Sequence, residues 1–158
     1  MKVSAKSEYG VRAMVHLARS YGQGPIPVSQ VAEREHIPAA LLEQLMMALR
    51  HAGLVTSVRG VRGGHILAKE PTDISVGDVM RAVDGPIVPA HCVEFALGEQ
   101  ATCGMGLLML ECTTRDVWVV LQEKISETLD GISLADLCQK SDALPGVQSI
   151  PMAGALLN

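Results

Sequence analysis

The chain of 158 residues is 48% hydrophobic but contains only four aromatic residues, so aliphatic side chains and methionine must form the core of one domain. No apolar run approaches the roughly 18 residues of a membrane span, and the start Met-Lys-Val-Ser-Ala-Lys lacks the apolar segment of a secretion signal, which indicates a cytoplasmic protein with no membrane partner. The net charge of −4 combines a basic first half with an acidic second half: residues 1–70 carry nine Lys or Arg and five Asp or Glu, whereas residues 71–158 carry four and twelve.

Three helical patterns begin the chain. Each is an amphipathic stretch that starts near a residue suited to a helix N-terminus. Ser4 is predicted to cap a helix to about residue 19, Ser29 a short helix to residue 34 or 35, and Pro38 is predicted to lie in the first turn of a helix ending near residue 51. In the third helix an apolar stripe would face the core, and four residues lie away from its centre: Glu43, Gln44, Met47 and Arg50.

A β-hairpin is predicted directly after the third helix. Two β-prone runs, residues 54–58 and 65–67, flank a loop that contains Arg59, Arg62 and three glycines. The glycines, among them Gly60, permit a tight turn and a close approach to another surface. Helix, turn, helix and then a hairpin with arginines at its tip is the layout of a winged helix-turn-helix. Its natural partner is duplex DNA, and the basic charge of the first half favours that partner.

The second half is predicted to contain two further helical regions separated by a long connection. Ser75 would cap a helix to about residue 83, residues 85–104 would form an irregular loop, and a long helix would span 113–129. Its apolar stripe exceeds what a small winged domain needs, which indicates helix-to-helix dimerisation into a homodimer. Ser133 would cap a last helix over 134–139. The fold expected is mainly α with a small β-hairpin: a winged helix-turn-helix domain (1–83), a cysteine-bearing loop (84–112), a dimerisation helix with a short terminal helix (113–140) and a flexible tail (141–158).

Three of the four cysteines, Cys92, Cys103 and Cys112, lie within 21 positions of one another. A cytoplasmic protein of this size needs no disulfide framework, so this grouping points to metal or redox chemistry. Cys138 falls in the last short helix, where a packing role is expected. The chain shows no recognisable catalytic triad, phosphate-binding loop or paired-carboxylate motif, so we do not expect an enzyme.

Several motifs, in this order and spacing, resemble those of the Rrf2 family of bacterial regulators. That family includes regulators of iron–sulfur-cluster assembly, nitric-oxide sensors and iron-responsive regulators. The matching segments are Ser4-Ala5-Lys6-x-Glu8-Tyr9-Gly10-x-Arg12-Ala13, Leu42-Glu43-Gln44-Leu45, Ala52-Gly53-Leu54-Val55, Ser57-Val58-Arg59-Gly60-x-Arg62-Gly63-Gly64, Cys112-x-x-Arg115-x-x-Trp118 and Leu134-Ala135-Asp136-Leu137.

The resemblance implies a homodimeric repressor or dual regulator that binds a double-stranded operator. Residues near the start of a recognition helix read base edges in the major groove, where Ala39, Ala40, Glu43 and Gln44 are the candidates. Gln can pair with adenine and Glu can accept from cytosine. At the wing, Arg59 and Gly60 would approach the minor groove. The phosphate contacts expected are Lys6, Arg50 and Arg62, with Arg12 or Arg34 as alternatives.

The resemblance also implies an iron–sulfur cluster, of either 2Fe–2S or 4Fe–4S type, that senses iron, redox state or nitric oxide. Cys92, Cys103 and Cys112 would be its thiolate ligands. Their gaps of ten and eight residues are longer than in typical cluster-binding relatives, which makes Cys103 the least certain ligand. In some family members an acidic residue of the other subunit completes the cluster, and Glu8 matches that position; His91 is an alternative.

Three alternatives to an iron–sulfur cluster stay open. Some family members lack clusters and can act through a partner enzyme. The cysteines could instead form a thiol-to-disulfide switch. Zinc is a further possibility, although the usual Cys-x2-Cys pairs are absent.

Overall fold

A computed structural model describes residues 3–90, 93 and 114–139 of the chain. The described part is mainly helical with one two-stranded antiparallel sheet, which confirms the predicted fold class. In chain order the elements are α1 (Ala5–Arg19), α2 (Val28–Glu35), α3 (Ala39–His51), β1 (Val55–Val58), β2 (Gly64–Leu67), a 3-10 helix (Pro71–Asp73), α4 (Val76–Asp84), α5 (Arg115–Asp130) and α6 (Leu134–Cys138).

Three of the predicted serine caps are confirmed. Ser4, Ser75 and Ser133 each precede a helix and accept a hydrogen bond from the backbone N–H three residues later, at 3.0 to 3.1 Å. The predicted cap at Ser29 is wrong, because Pro27 holds the N-cap position and Ser29 lies inside α2. Pro38 likewise precedes α3 as its N-cap residue and does not lie in its first turn.

The turn between α2 and α3 depends on a left-handed residue. His36 has φ 52° and ψ 44°, and its backbone N–H donates to the carbonyls of the last turn of α2. This conformation is uncommon outside glycine, and it directs the next residue, Ile37, into the core, where it is 4% exposed. The largest fully buried side chains of that core are Met14, Leu42, Met46, Leu49, Ile74 and Leu134.

The last short helix returns to the same core. Leu134 is fully buried there, and α6 packs against α1. The starts of α4 and α6 are joined by backbone hydrogen bonds: Val76 donates to the carbonyl of Ile132, and Leu134 to that of Ile74, both at 2.9 Å. The chain therefore leaves the core after α4 and comes back beside the point where α4 begins.

Asp84, at the end of α4, holds the start of α1. Its carboxylate accepts hydrogen bonds from the hydroxyls of Ser4 and Ser7. Partial burial alone would raise the pKa of Asp84, but these hydrogen bonds and the nearby charge of Lys6 together outweigh it, so the pKa lies below its ordinary value.

Replacing Asp84 with Asn is expected to lower the free energy of unfolding at neutral pH by roughly 0.5–1 kcal/mol, a value kept small because the group is exposed. A depressed carboxyl pKa contributes stability that is complete above the unfolded-state pKa and is lost as the pH falls through the folded-state value. The difference from wild type should therefore shrink below about pH 4, which urea unfolding at several pH values measures. Asp73→Asn, at an exposed position, is the control; a pH-independent difference for Asp84→Asn would contradict the assignment.

Within the described ranges, no helix combines the length and apolar character needed to cross a membrane. The predicted tail 141–158, residue 113 at the predicted start of the long helix, and loop residues 91, 92 and 94–104 lie outside those ranges.

Candidate nucleic-acid interface

Helix α3 divides into a buried and an exposed face. The predicted apolar stripe comprises Leu41, Leu42, Leu45, Met46, Leu49 and Ala52. Four of these residues, Leu42, Leu45, Met46 and Leu49, are buried as predicted, whereas Leu41 is half-buried and Ala52, just after the helix, is exposed. The opposite face is exposed over its whole length, and it carries Ala39, Ala40, Glu43, Gln44, Met47, Arg50 and His51. The two predicted base-reading residues, Glu43 and Gln44, thus lie together on the solvent side.

The wing follows α3 through a tight turn at Gly53, which has φ 70°. Strand β1 pairs with β2 from Val55 opposite Leu67 to Val58 opposite Gly64. At the tip, Arg59, Gly60 and Arg62 are all exposed, and Gly60 adopts φ 121°, a conformation that side chains other than glycine rarely tolerate. The structure therefore presents both predicted wing arginines to solvent on a short, tightly closed loop.

The wing is fixed to the helical core by a short third segment. Ile26 and His65 exchange two backbone hydrogen bonds, at 3.0 and 2.8 Å. A Cβ atom at Gly64 would overlap the carbonyl group of Ile26, so this close approach requires glycine. The side chain of His65 also lies 3.3 Å from the hydroxyl of Ser57 across the hairpin. These contacts hold the wing in one orientation relative to α3.

Positive charge accumulates where α3 and the wing meet. Burial, together with the charge of Arg50 at the end of α3, lowers the pKa of His65 on strand β2. Arg50, Arg59 and Arg62 form no ion pair with any acidic residue among those described. Lys6 lies near Asp84 and lowers its pKa, so its charge is partly offset. The three arginines are free to bind phosphate or base edges.

Arg12 has a structural contact that sequence reasoning missed. Its guanidinium donates to the backbone carbonyl of Glu35 and pairs with the carboxylate at 3.5 Å, while it lies 5.9 Å from the ring centre of Tyr9. His16 approaches the same carboxylate at 2.9 Å. This cluster joins α1 to the end of α2, so Arg12 positions the helix-turn-helix and is not a free phosphate contact. A separation of 23 residues leaves no local signal for the pairing.

The three candidate cysteine ligands, Cys92, Cys103 and Cys112, and the alternative His91 lie outside the described residues. Glu8 is described: it is exposed in the first turn of α1, and its carboxylate has no hydrogen bond or ion pair with the described part of the chain. No group of three or more His, Cys, Asp or Glu side chains with metal-binding geometry occurs within that part.

Cys138 is half-buried on α6, with its sulfur 3.9 Å from the carbonyl oxygen of Val15 on α1. Burial raises the pKa of its thiol despite the nearby charge of Arg19. Metal ligands are thiolates, so this environment favours the predicted packing role.

Helix α5 exposes a row of large apolar side chains. Val117, Val120 and Leu121 are 61%, 55% and 38% exposed, and Trp118 is 36% exposed. The first three share one face of the helix, since they are spaced by three and four residues. Two further members of the predicted stripe, Ile125 and Leu129, are half-buried.

Comparison with known proteins identifies relatives over nearly the whole chain. The profile of the Rrf2 family, described as an iron-dependent transcriptional regulator, matches residues 3–140. The chain is 35% identical over 142 residues to the HTH-type transcriptional regulator CymR of Bacillus subtilis. The aligned region covers 90% of this chain and 93% of that protein. The chain is 38% identical over 144 residues to the HTH-type transcriptional regulator IscR of Serratia proteamaculans, covering 91% and 83%.

Solved structures agree with these sequence matches. The structure of CymR, described as the global cysteine regulator of B. subtilis, superimposes with a TM-score of 0.70 at 33% identity, covering 87% of this chain and 96% of that one. IscR of T. potens superimposes with a TM-score of 0.70 at 38% identity, covering 94% and 93%. These relatives are regulators and not enzymes, as predicted. The chain belongs to the Rrf2 family of DNA-binding transcriptional regulators.

Proposed function

We propose that this protein is a homodimeric repressor whose affinity for its operator is set by an iron–sulfur cluster. The observation that carries the DNA-binding part is the exposed face of α3 beside a wing whose arginines have no acidic partner among the described residues. In this proposal Glu43 and Gln44 read bases in the major groove. Arg59 and Gly60 enter the minor groove, while the phosphate contacts are Lys6, Arg50 and Arg62.

The cluster part rests on the donor chemistry and on the family description. Cys92, Cys103 and Cys112 would supply three thiolates, and Glu8 of the partner subunit the fourth ligand. The carboxylate of Glu8, exposed and without a partner among the described residues, supports this role, and the family profile describes an iron-dependent regulator. When bound, a cluster supplies a centre whose redox state and iron content vary with the cell's conditions. Operator affinity would then vary by the free energy that couples the two sites.

The corresponding division of the chain is also proposed. Residues 1–83 would form the winged DNA-binding domain, 84–112 the cysteine-bearing loop and 113–140 the dimerisation helix with its terminal helix. Residues 141–158 would form the tail.

Operator titration of the loaded and stripped protein tests the cluster coupling. An operator is selected from a random-sequence duplex pool, and its affinity is measured anaerobically before and after removal of iron with a chelator. The two affinities are expected to differ by at least about 5-fold, the lower end of typical coupling energies. Iron and sulfide analysis of both samples is the control. Equal affinities would contradict cluster control while leaving DNA binding intact.

The exposed apolar face of α5 supports the homodimer. Three large apolar side chains on one helix face would lose their hydration against the same face of the partner helix across a two-fold axis. Introducing Val117→Glu and Val120→Glu together would bury carboxylates in that contact. We expect the dimer dissociation constant to rise by roughly 100-fold or more, because burying an unpaired carboxylate raises the free energy of the dimer by on the order of several kcal/mol. Sedimentation velocity measures this, with Glu123→Gln on the same helix as control; an unchanged dimer would contradict the interface.

A second candidate function is a cluster-free regulator that acts through a thiol switch or a partner enzyme. The similarity to CymR, described as a global cysteine regulator, favours it, as do the long gaps between the three cysteines. Protein that stays colourless after anaerobic treatment with iron and sulfide, yet still binds an operator, would establish this alternative.

A further inference from the structure

Helix α3 exposes one large apolar side chain, that of Met47, which is 51% exposed. Every other large apolar residue of the helix is buried or half-buried. A single exposed apolar residue is ordinary on a protein surface, so its meaning depends on its position.

Met47 lies on the same side of α3 as the proposed base-reading residues, one turn nearer the end of the helix. With 3.6 residues per turn, its side chain is separated by about 40° around the helix from Glu43, by about 60° from Gln44 and by about 60° from Arg50. It therefore lies between the two predicted base readers and one turn closer to the wing. All of these neighbours are exposed, and about half of the methionine's own surface is open to solvent.

We propose that Met47 contacts the 5-methyl group of a thymine in the major groove and selects for thymine at that operator position. Thymine alone among the four bases presents an apolar group on its major-groove edge. The flexible, polarisable thioether chain of methionine adapts to such a contact. Arg50, Arg59 and Arg62, which have no acidic partner among the described residues, draw this surface to the phosphate backbone by charge complementarity, which favours duplex DNA as the occupant. The inference rests on the proposed DNA-binding function and adds one specificity-determining residue to it.

Replacing thymine with deoxyuracil tests the contact, because this change removes only the methyl group. One thymine position is changed to deoxyuracil at a time, in both half-sites of the selected operator, and the affinity of the full-length protein is measured for each changed operator. For the wild type, one replaced position should lower the affinity by about 4-fold per half-site, the value expected for one buried methyl group. For Met47→Ala the affinity for the unmodified operator should fall by at least as much, and replacement at that position should have no further effect.

Met47→Leu is the matched control, because it keeps an apolar side chain and should keep the sensitivity to uracil at the same position. Equal thermal stability of the three proteins shows that folding is unchanged. A flat uracil scan for the wild type, or an unchanged scan for Met47→Ala, would overturn the proposal. If the protein binds an operator but the scan is flat, only the role of Met47 fails. If no duplex is selected at any salt concentration, the proposed function fails with it.

Discussion

Substitution of Arg59 by Ala is expected to weaken operator binding by about 1–3 kcal/mol, or roughly 5- to 150-fold. Arg59 is exposed at the wing tip and has no ion pair with a described residue, so its replacement breaks no ion pair of the described fold. Its planar guanidinium fits the narrow minor groove of A·T-rich DNA, where the negative potential is strongest. Titration of the selected operator at fixed salt concentration measures the effect.

Three companion variants separate groove reading from simple charge. Arg59→Lys keeps the charge but loses the planar fork, so it should recover only part of the affinity. Arg62→Ala should weaken binding to all DNA sequences about equally. It should also reduce the slope of log affinity against log salt concentration by about one, as expected for the loss of one phosphate contact. Lys124→Ala, on the exposed surface of α5, removes one positive charge outside the proposed DNA-binding surface and should leave the operator affinity unchanged. An Arg59→Ala protein that binds the operator as tightly as the wild type would refute the wing assignment.

Substitution of Cys112 by Ala is expected to abolish the visible absorption and bound iron of the anaerobically purified protein. Among the three proposed ligands, Cys112 is the one that the resemblance places within a motif, Cys112-x-x-Arg115-x-x-Trp118. Loss of one of three thiolate ligands removes a bond that the fourth ligand cannot replace. Absorption spectroscopy with iron and sulfide analysis measures the outcome.

Cys138→Ala is the matched control for this experiment. The thiol of Cys138 packs beside α1 with a raised pKa, so it is a poor source of the thiolate that a metal needs. This variant should keep the full absorption and iron content of the wild type. Equal loss of colour in both variants would contradict the assigned ligands, as would full retention in Cys112→Ala.

Features that depend on neighbouring residues could be predicted from the sequence. The caps at Ser4, Ser75 and Ser133 could be predicted because each places a hydroxyl three residues before a free N–H of the first helical turn. The wing could be predicted because glycines separate two β-prone runs. The cap at Ser29 was predicted wrongly because α2 begins one residue earlier, after Pro27, which has no side-chain acceptor and which the capping rule for hydroxyl side chains does not identify. Local patterns therefore predict which elements exist better than where they begin.

Contacts between distant parts of the chain could not be predicted in this way. Arg12 was a reasonable candidate for phosphate binding until the structure showed its pairing with Glu35. The position of Met47 away from the apolar stripe was visible in the sequence, but its exposure beside the wing depends on the folded arrangement of α3 and the hairpin. The assignment of Cys92, Cys103 and Cys112 stays a prediction, because these residues lie outside the part that the structure describes.

The double junction between the starts of α4 and α6 has a mechanical consequence. The hydrogen bonds of Val76 and Leu134 hold the segment between α5 and α6 beside the start of α4. The side chain of Arg81 adds a third attachment to Asp130 at the end of α5. A rotation of α5 is therefore expected to carry α4 with it, because the end of α5 and the residues after it are attached at three points to α4 and the residues just before it. In a two-fold assembly such a rotation would change the distance between the α3 helices of the two protomers. That distance decides whether both helices fit half-sites spaced by one turn of the double helix.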